Sequence, residues 1–352
     1  MVRRPGWVDH LIGWHVYPLG FVGAPKRLES GEVSHRLGHL ETWLDHAVSL
    51  GCSGLALGPI FASASHGYDT LDYFAVDPRL GDDTDFDHLV HAAHSRGLSV
   101  LLDGVFNHVS SRNQVVQDAL AAGPETDAGR MVRWRDGQLD VFEGHGDLVS
   151  LNHDDPAVRD LVTRVMNHWS DRGVDGWRLD AAYSVNPEFW AAVLPSVRAE
   201  HPDVWVFGEV IHGDYAGIVK ASGMDSVTQY ELWKAIWSSI ESRNFFELDH
   251  ALGRHNEFSD AFTPMTFVGN HDVTRIASKV GQDGAMVATA VLATIGGVPL
   301  IYYGDELAYR GIKEERFGGD DDIRPVFPAS PAELSNLGAE TLRTHQDLLG
   351  LR

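Results

Sequence analysis

Cysteine is almost missing from this sequence: Cys52 stands alone in 352 residues. No internal disulfide can form, so packing must hold the fold. Its apolar setting, SLGCSGLALG, reads as a small buried hydrophobe and not as a nucleophile. Basic residues are also scarce, 28 Lys and Arg against 50 Asp and Glu, for a net charge of −22. Nucleic acid and anionic membrane surfaces both need basic patches, so neither is expected as a partner. A neutral substrate suits the charge better. No apolar run reaches membrane length, and the opening MVRRPGWVDH has no apolar core of a signal peptide. A cytoplasmic location is therefore expected. Internal repeats and low-complexity tracts are absent, and no glycine-rich phosphate fingerprint follows the first strand signal.

What is present is a soluble, globular composition, 43% hydrophobic and 22% charged, with a regular alternation. Strand signals fall at 12–19, 54–60, 99–106, 174–180, 204–209, 226–229, 265–268 and 299–303. Helix signals follow at 37–50, 84–96, 156–171, 187–200, 215–221, from 231 onward, at 283–295 and at 335–349. Asp155 and Pro156 suit the N-cap and first-turn positions of the third helix. Eight strand–helix units in succession demand a parallel sheet with right-handed crossovers. That number favours a closed (β/α)₈ barrel over an open doubly wound sheet. The run 108–153 interrupts the third unit, shows no helical periodicity and is too long for a plain loop. It is read as a small lobe inserted over the barrel mouth, with 1–107 and 154–352 forming the barrel.

Four acids end four of the strands: Asp103 in LLDGVFNH, Asp180 in VDGWRLDAAY, Glu209 in VWVFGEV and Asp272 in FVGNHD. Period-two alternation sets Arg178 beside Asp180 on one face of its strand. A lone Arg-x-Asp is most often a structural ion pair. Four acids gathered at one rim are harder to explain by packing.

These residues lie in motifs that resemble the α-amylase family, glycoside hydrolase family 13. DGVFNH, GWRLD, GEV and VGNHD match its four core segments in order, and LNHDDP, GLALGPI and YYGDE look like auxiliary ones. The resemblance implies a retaining glycosidase with Asp180 as nucleophile, Glu209 as acid/base and Asp272 as transition-state stabiliser. A bond that breaks through an oxocarbenium-like state needs an ionised carboxylate, a protonated one and further negative charge around the sugar. Arg178 is expected to lower the Asp180 pKa, and the apolar run before Glu209 to raise that of Glu209.

The family further implies that Asp103 orients Arg178, and that Asn107 is structural support. His108 and His271 resemble hydroxyl-binding histidines, and Tyr68 an aromatic platform under the cleaved sugar, flanked by His66 and Asp69. Asp320 and Arg324, in FGGDDDIRP, resemble the pair closing the blind end, with the register among Asp320, Asp321 and Asp322 open.

Two departures stand out. Ala-Ala-Tyr-Ser follows Asp180 where many relatives carry Lys-His, so the calcium site built there with Asn107 is incomplete. No cofactor is expected and no metal ligand is assigned, calcium included. The sequence also ends with the eighth helix, where the family's C-terminal β-sandwich usually follows, so that domain is expected to be absent from this chain.

The short lobe and the GWRLDAAY/GEV pair point toward cyclomaltodextrinase- and neopullulanase-like members acting on malto-oligosaccharides or short α-glucans. A transglycosylase or trehalose-forming isomerase would use the same residues. A non-catalytic barrel subunit is the reading from another class, and such a protein would have lost acids that are all present here. Trp134 and Phe142, in the lobe, are candidates either for sugar stacking or for the lobe's own core.

Overall fold

The computed structural model describes residues 4–29, 31–316 and 318–352. The first three residues of the MVRRPGWVDH opening, Ser30, and Phe317 at the start of FGGDDDIRP lie outside that description. Strands β1 (Gly13–Val16), β2 (Gly54–Leu57), β3 (Ser99–Gly104), β4 (Gly176–Leu179), β5 (Trp205–Gly208), β6 (Ser226–Val227), β7 (Met265–Phe267) and β8 (Val298–Tyr302) lie in the order 6-5-4-3-2-1-8-7. All pairs are parallel. Thr228 forms a parallel bridge with Met265, and the Gln229 N–H donates to the Met265 carbonyl at 2.8 Å. These contacts bring β6 against β7 and complete the expected (β/α)₈ barrel.

Alternation along the strands sorts the side chains into two layers. Ala56, Leu101, Trp205, Phe207, Met265 and Leu300 form one cluster inside the barrel. Trp14, Leu55, Leu102, Trp177 and Val206 belong to a larger one between barrel and helices. Burying each such large side chain contributes about 1.5–3 kcal/mol, which removes any need for disulfides. Gly176 marks where the interior is fullest: a Cβ there would sit 2.8 Å from the Trp205 carbonyl and 3.2 Å from Leu101. The helix Pro156–Asp171 shows the local logic. Asp155 caps it by accepting from the Ala157 N–H, Pro156 opens it, and Val158, Leu161, Val162, Val165, Met166 and Trp169 bury one face. Losing the Asp155 cap would cost about 1 kcal/mol.

Several elements differ from the sequence expectation. The stretch after β2, read as loop, contains an antiparallel pair, Phe61–Ser63 with Thr70–Val76. In the latter only Thr70, Tyr73 and Val76 are buried, a spacing of three without the period-two alternation of a strand signal. The inserted run contains a helix, Gln114–Ala122, capped by Asn113, contrary to the reading that it had no helical period. A ribbon of His108–Ser110 against Leu148–Ser150 forms its base. The helix expected over 37–50 is broken into Leu37–Glu41 and Leu44–Ser49. The one expected from 283 begins at Ile276 and kinks at Gly281, where φ is 75°. The region from 231 is two helices, Tyr230–Ser242 and Phe246–Ser259, separated at Arg243 in the left-handed region. Among the described residues no helix is long and apolar enough to cross a membrane.

Candidate active site

The sheet itself delivers the acids. Arg178 pairs in register with Asp103 on β3, and Leu179 with Gly208 on β5. Past the strand ends the ladder continues: Asp180 N–H donates to Gly104 at 3.0 Å and Glu209 N–H to Leu179 at 2.9 Å. Asp180 and Glu209 are thus held side by side by backbone hydrogen bonds on adjacent strands.

One guanidinium organises three acids. Arg178 Nη1 donates to both Asp103 oxygens at 2.6 and 2.7 Å and to Asp180 Oδ1 at 3.0 Å. Its Nη2 lies 2.8 Å from Glu209 Oε1. Glu209 is rich in donors, unlike the apolar surroundings inferred from its sequence: Tyr230 OH donates to Oε1 at 3.1 Å and the Ala181 N–H to Oε2 at 3.0 Å. Ala181 reaches Glu209 in a left-handed conformation, φ 46°, rare for a residue with a Cβ and costing about 1 kcal/mol or more.

The charge balance corrects one expectation. Arg178 does pull the Asp180 pKa down, but burial, with Glu209, Asp103 and Asp272 nearby, pushes it up further, to well above the ordinary carboxylate range. Burial also raises Asp103, against Arg178 and His271. At Asp272 the balance reverses. Burial pushes up, yet His271, Arg324 and Arg178 outweigh it and hold the carboxyl well below its usual range. His271 Nε2 lies 2.9 Å from Asp272 Oδ2 and Arg324 Nη2 2.9 Å from Oδ1.

The other candidates fall into place around these acids. Arg324 Nη2 also meets Asp320 Oδ2 at 3.0 Å, whereas Asp321 pairs with Lys26. Tyr68 donates to Asp103 at 3.1 Å, touches His271 Nε2, and stacks on the His271 ring with centroids 5.4 Å apart. His108 is buried, its Nε2 has no partner among the described residues, and burial pushes it down to about 4. Phe142 from the lobe stacks on it at 4.6 Å. Trp134 instead donates to the Gly129 carbonyl at 2.8 Å and packs against the main core. Asp69 spends both oxygens on Ser65, at 3.1 and 2.6 Å, and so braces the turn carrying Tyr68. His66 stands at the exposed edge of that turn.

Three participants went unnoticed in the sequence. Tyr17 stacks on His271 at 6.0 Å and lies under the Arg324 guanidinium at 4.6 Å. His15 packs edge-on to His271 at 5.2 Å. Tyr230, 21 residues beyond Glu209, accepts from Asn270 Nδ2 at 2.9 Å, while Asn270 Oδ1 accepts the Asp272 N–H at 2.9 Å. His15 and Tyr17 belong to the alternation of GWHVY, which could have flagged them. Tyr230 carried no local signal.

Asn107 ties the barrel to the inserted run. Its carbonyl accepts the Leu151 N–H at 3.1 Å and its Nδ2 sits 3.1 Å from His108 Nδ1. In the loop after Asp180, Tyr183 N–H donates to the Glu209 carbonyl at 3.2 Å.

A parallel barrel with converging acids at the carboxyl ends of its strands defines a glycoside-cleaving class of site. The family comparison agrees: the alpha amylase catalytic-domain model matches residues 37–144 and 133–336. The chain belongs to the alpha-amylase family of glycoside hydrolases. It is 29% identical over 356 residues to alpha-amylase 3 of Dictyoglomus thermophilum, covering 91% of this chain and 70% of that protein. It is 32% identical over 350 residues to neopullulanase 2 of Thermoactinomyces vulgaris, covering 87% of this chain. The chain spans 58% of that relative's length, and 60% of a cyclomaltodextrinase from Geobacillus thermopakistaniensis that is 29% identical over 94% of this chain. Among solved structures, the native debranching enzyme of Nostoc punctiforme superimposes with a TM-score of 0.84 at 26% identity, covering all of this chain and 81% of that one.

Proposed function

We propose that this domain hydrolyses α-glucosidic bonds of malto-oligosaccharides and other short α-glucans by double displacement with retention. The observation carrying the reading is the single guanidinium of Arg178 joining Asp103, Asp180 and Glu209. Strands this close, about 4.8 Å apart, suit the roughly 5–5.5 Å carboxyl separation of a retaining enzyme. An inverting enzyme needs a gap of about 6.5–9.5 Å for a water. In the first step Asp180 attacks the anomeric carbon while Glu209 protonates the departing oxygen. In the second, Glu209 takes a proton from water, which displaces Asp180 and restores the α-configuration. Asp272 stabilises the positive charge that develops between these states. The attack uses the ionised form of Asp180, which Arg178 at 3.0 Å favours against burial. His108, His271, Tyr68, Asp320 and Arg324 bind the sugar in the cleaved position, and Asp69 acts by holding Tyr68.

Relatives named cyclomaltodextrinase, maltogenic amylase and neopullulanase support the substrate class. The test is to give the protein maltotriose and cyclodextrin and follow the fresh reducing end by NMR before mutarotation. The α-anomer is expected first, and Asp180→Ala should lower kcat by about 10⁴-fold or more with the fold retained. Initial release of the β-anomer, or ready turnover by Asp180→Ala, would sink the reading.

A further inference from the structure

At its tip the lobe meets the loop after Asp180 through a polar contact. Tyr183, three residues after Asp180, donates its hydroxyl to Glu143 Oε1 at 2.9 Å. Glu143 lies at the lobe tip in a left-handed conformation, φ 49°, followed by Gly144 at φ 79°. A non-glycine residue persists there only when its surroundings hold it. Two contacts do so: the Tyr183 bond, and the stacking of neighbouring Phe142 on His108. Tyr183 is placed in turn by its N–H on the Glu209 carbonyl at 3.2 Å, and its ring packs with the Val210 and Tyr215 cluster. The contact therefore stands beside the acid/base. Because Glu209 hands its proton to the leaving oxygen, whatever stands beside it faces the departing part of the substrate.

The geometry points to Glu143 and Tyr183 as a latch between lobe and barrel that selects the sugar on the leaving side of the cleaved bond. Tyr183 occupies Oε1 of Glu143, and Oε2 has no partner among the described residues, so it is available to a hydroxyl of that sugar. A carboxylate aimed by a tyrosine and exposed until substrate arrives suits a neutral, hydroxyl-rich ligand such as a second glucosyl unit. A hydrophobic leaving group would find nothing to bond there. The inference rests on the hydrolase reading above.

The test compares kcat/KM for maltotriose, whose leaving part is a sugar, with that for an aryl α-glucoside, whose leaving part is not. Glu143→Ala and Tyr183→Phe should each lower the ratio of the two by about three- to tenfold, the size of one charge-assisted hydrogen bond partly screened by water. Glu143→Gln, which keeps an acceptor for Tyr183 but turns an uncharged amide to the sugar, should lower the ratio less than Glu143→Ala does. The double variant should be no worse than the worse single one, since each change breaks the same contact. A general loosening of the lobe would lower both substrates together and leave the ratio unchanged; that result, or additive losses in the double variant, overturns the latch. Wild-type protein inactive on both substrates would instead overturn the hydrolase reading, and the latch with it.

Discussion

Asp180 and Asp272 lie at the same end of the barrel, each against an arginine, and their pKa values move in opposite directions. Beside Asp180, one cation serves three acids, because Arg178 also holds Asp103 and Glu209. The Asp180 side chain is only 9% exposed, so burial works at nearly full strength and the carboxyl is pushed up. Beside Asp272, Arg324 is shared with Asp320 alone, His271 adds a second partner, and 34% of the side chain meets solvent. That carboxyl is held down. An arginine nearby does not by itself fix a carboxylate as ionised. What counts is how many acids share it and how much water remains to help.

The largest effect should come from weakening the shared cation. Arg178→Lys keeps a positive charge but loses the planar fork that reaches Asp103, Asp180 and Glu209 together. We expect kcat/KM for maltotriose to fall by about 10²–10⁴-fold with a lowered melting temperature, measured by steady-state kinetics and calorimetry. Activity within a few fold of wild type would mean that the three acids do not depend on one guanidinium.

Most of that hub was legible in the sequence. The acids were found because each ends an apolar strand, and the Arg178–Asp180 neighbourhood follows from period-two alternation. Asp103 and Arg178 meet because the strands pair residue for residue, which β–α counting alone places within reach. The proton balance was not legible, since burial comes from the whole barrel and from the lobe above it. Tyr230 was missed for a related reason: it is the first residue of a helix, and only the closing of β6 onto β7 brings its hydroxyl to Glu209 and Asn270. The Tyr183–Glu143 contact joins residues 40 apart across an insertion with no strand register to predict it.

A smaller effect should separate the two acids by stability. The raised pKa of Asp180 means that the folded state binds its proton more tightly than the unfolded chain does. Its contribution is present below the ordinary carboxylate value, about 3.9, and is lost as pH rises through the raised folded value. Asp272 is depressed, so its contribution is present above that ordinary value and is lost as pH falls toward the folded one. At pH 7, Asp180→Asn should therefore stabilise the fold. Asp272→Asn should destabilise it, by an amount that solvent screening of a side chain one-third exposed keeps small. Denaturant melts at pH 7 and pH 3 should show both differences shrinking in acid. Equal signs for the two variants would remove the contrast.

The smallest expected effect, none at all, concerns a divalent cation. If protein cations alone balance these acids, a chelator has nothing to take away. The backbone carbonyl of Asn107 accepts the Leu151 N–H, and the loop after Asp180 brings the Ala181 and Tyr183 N–H groups to Glu209. Among the described residues, one group of histidine and acids has ligand atoms within 4.8 Å of one another, His35, Asp82 and Asp85. One oxygen of each acid is already committed. Asp82 caps the helix Asp83–His94 through the Thr84 and Asp85 N–H groups, and Asp85 accepts from the Asp82 N–H at 2.9 Å and lies 2.6 Å from His35. Dialysis against EDTA should thus leave kcat and melting temperature unchanged, and added calcium should raise neither. A loss of activity restored by calcium would show that the acid-crowded side relies on a metal as well as on Arg178.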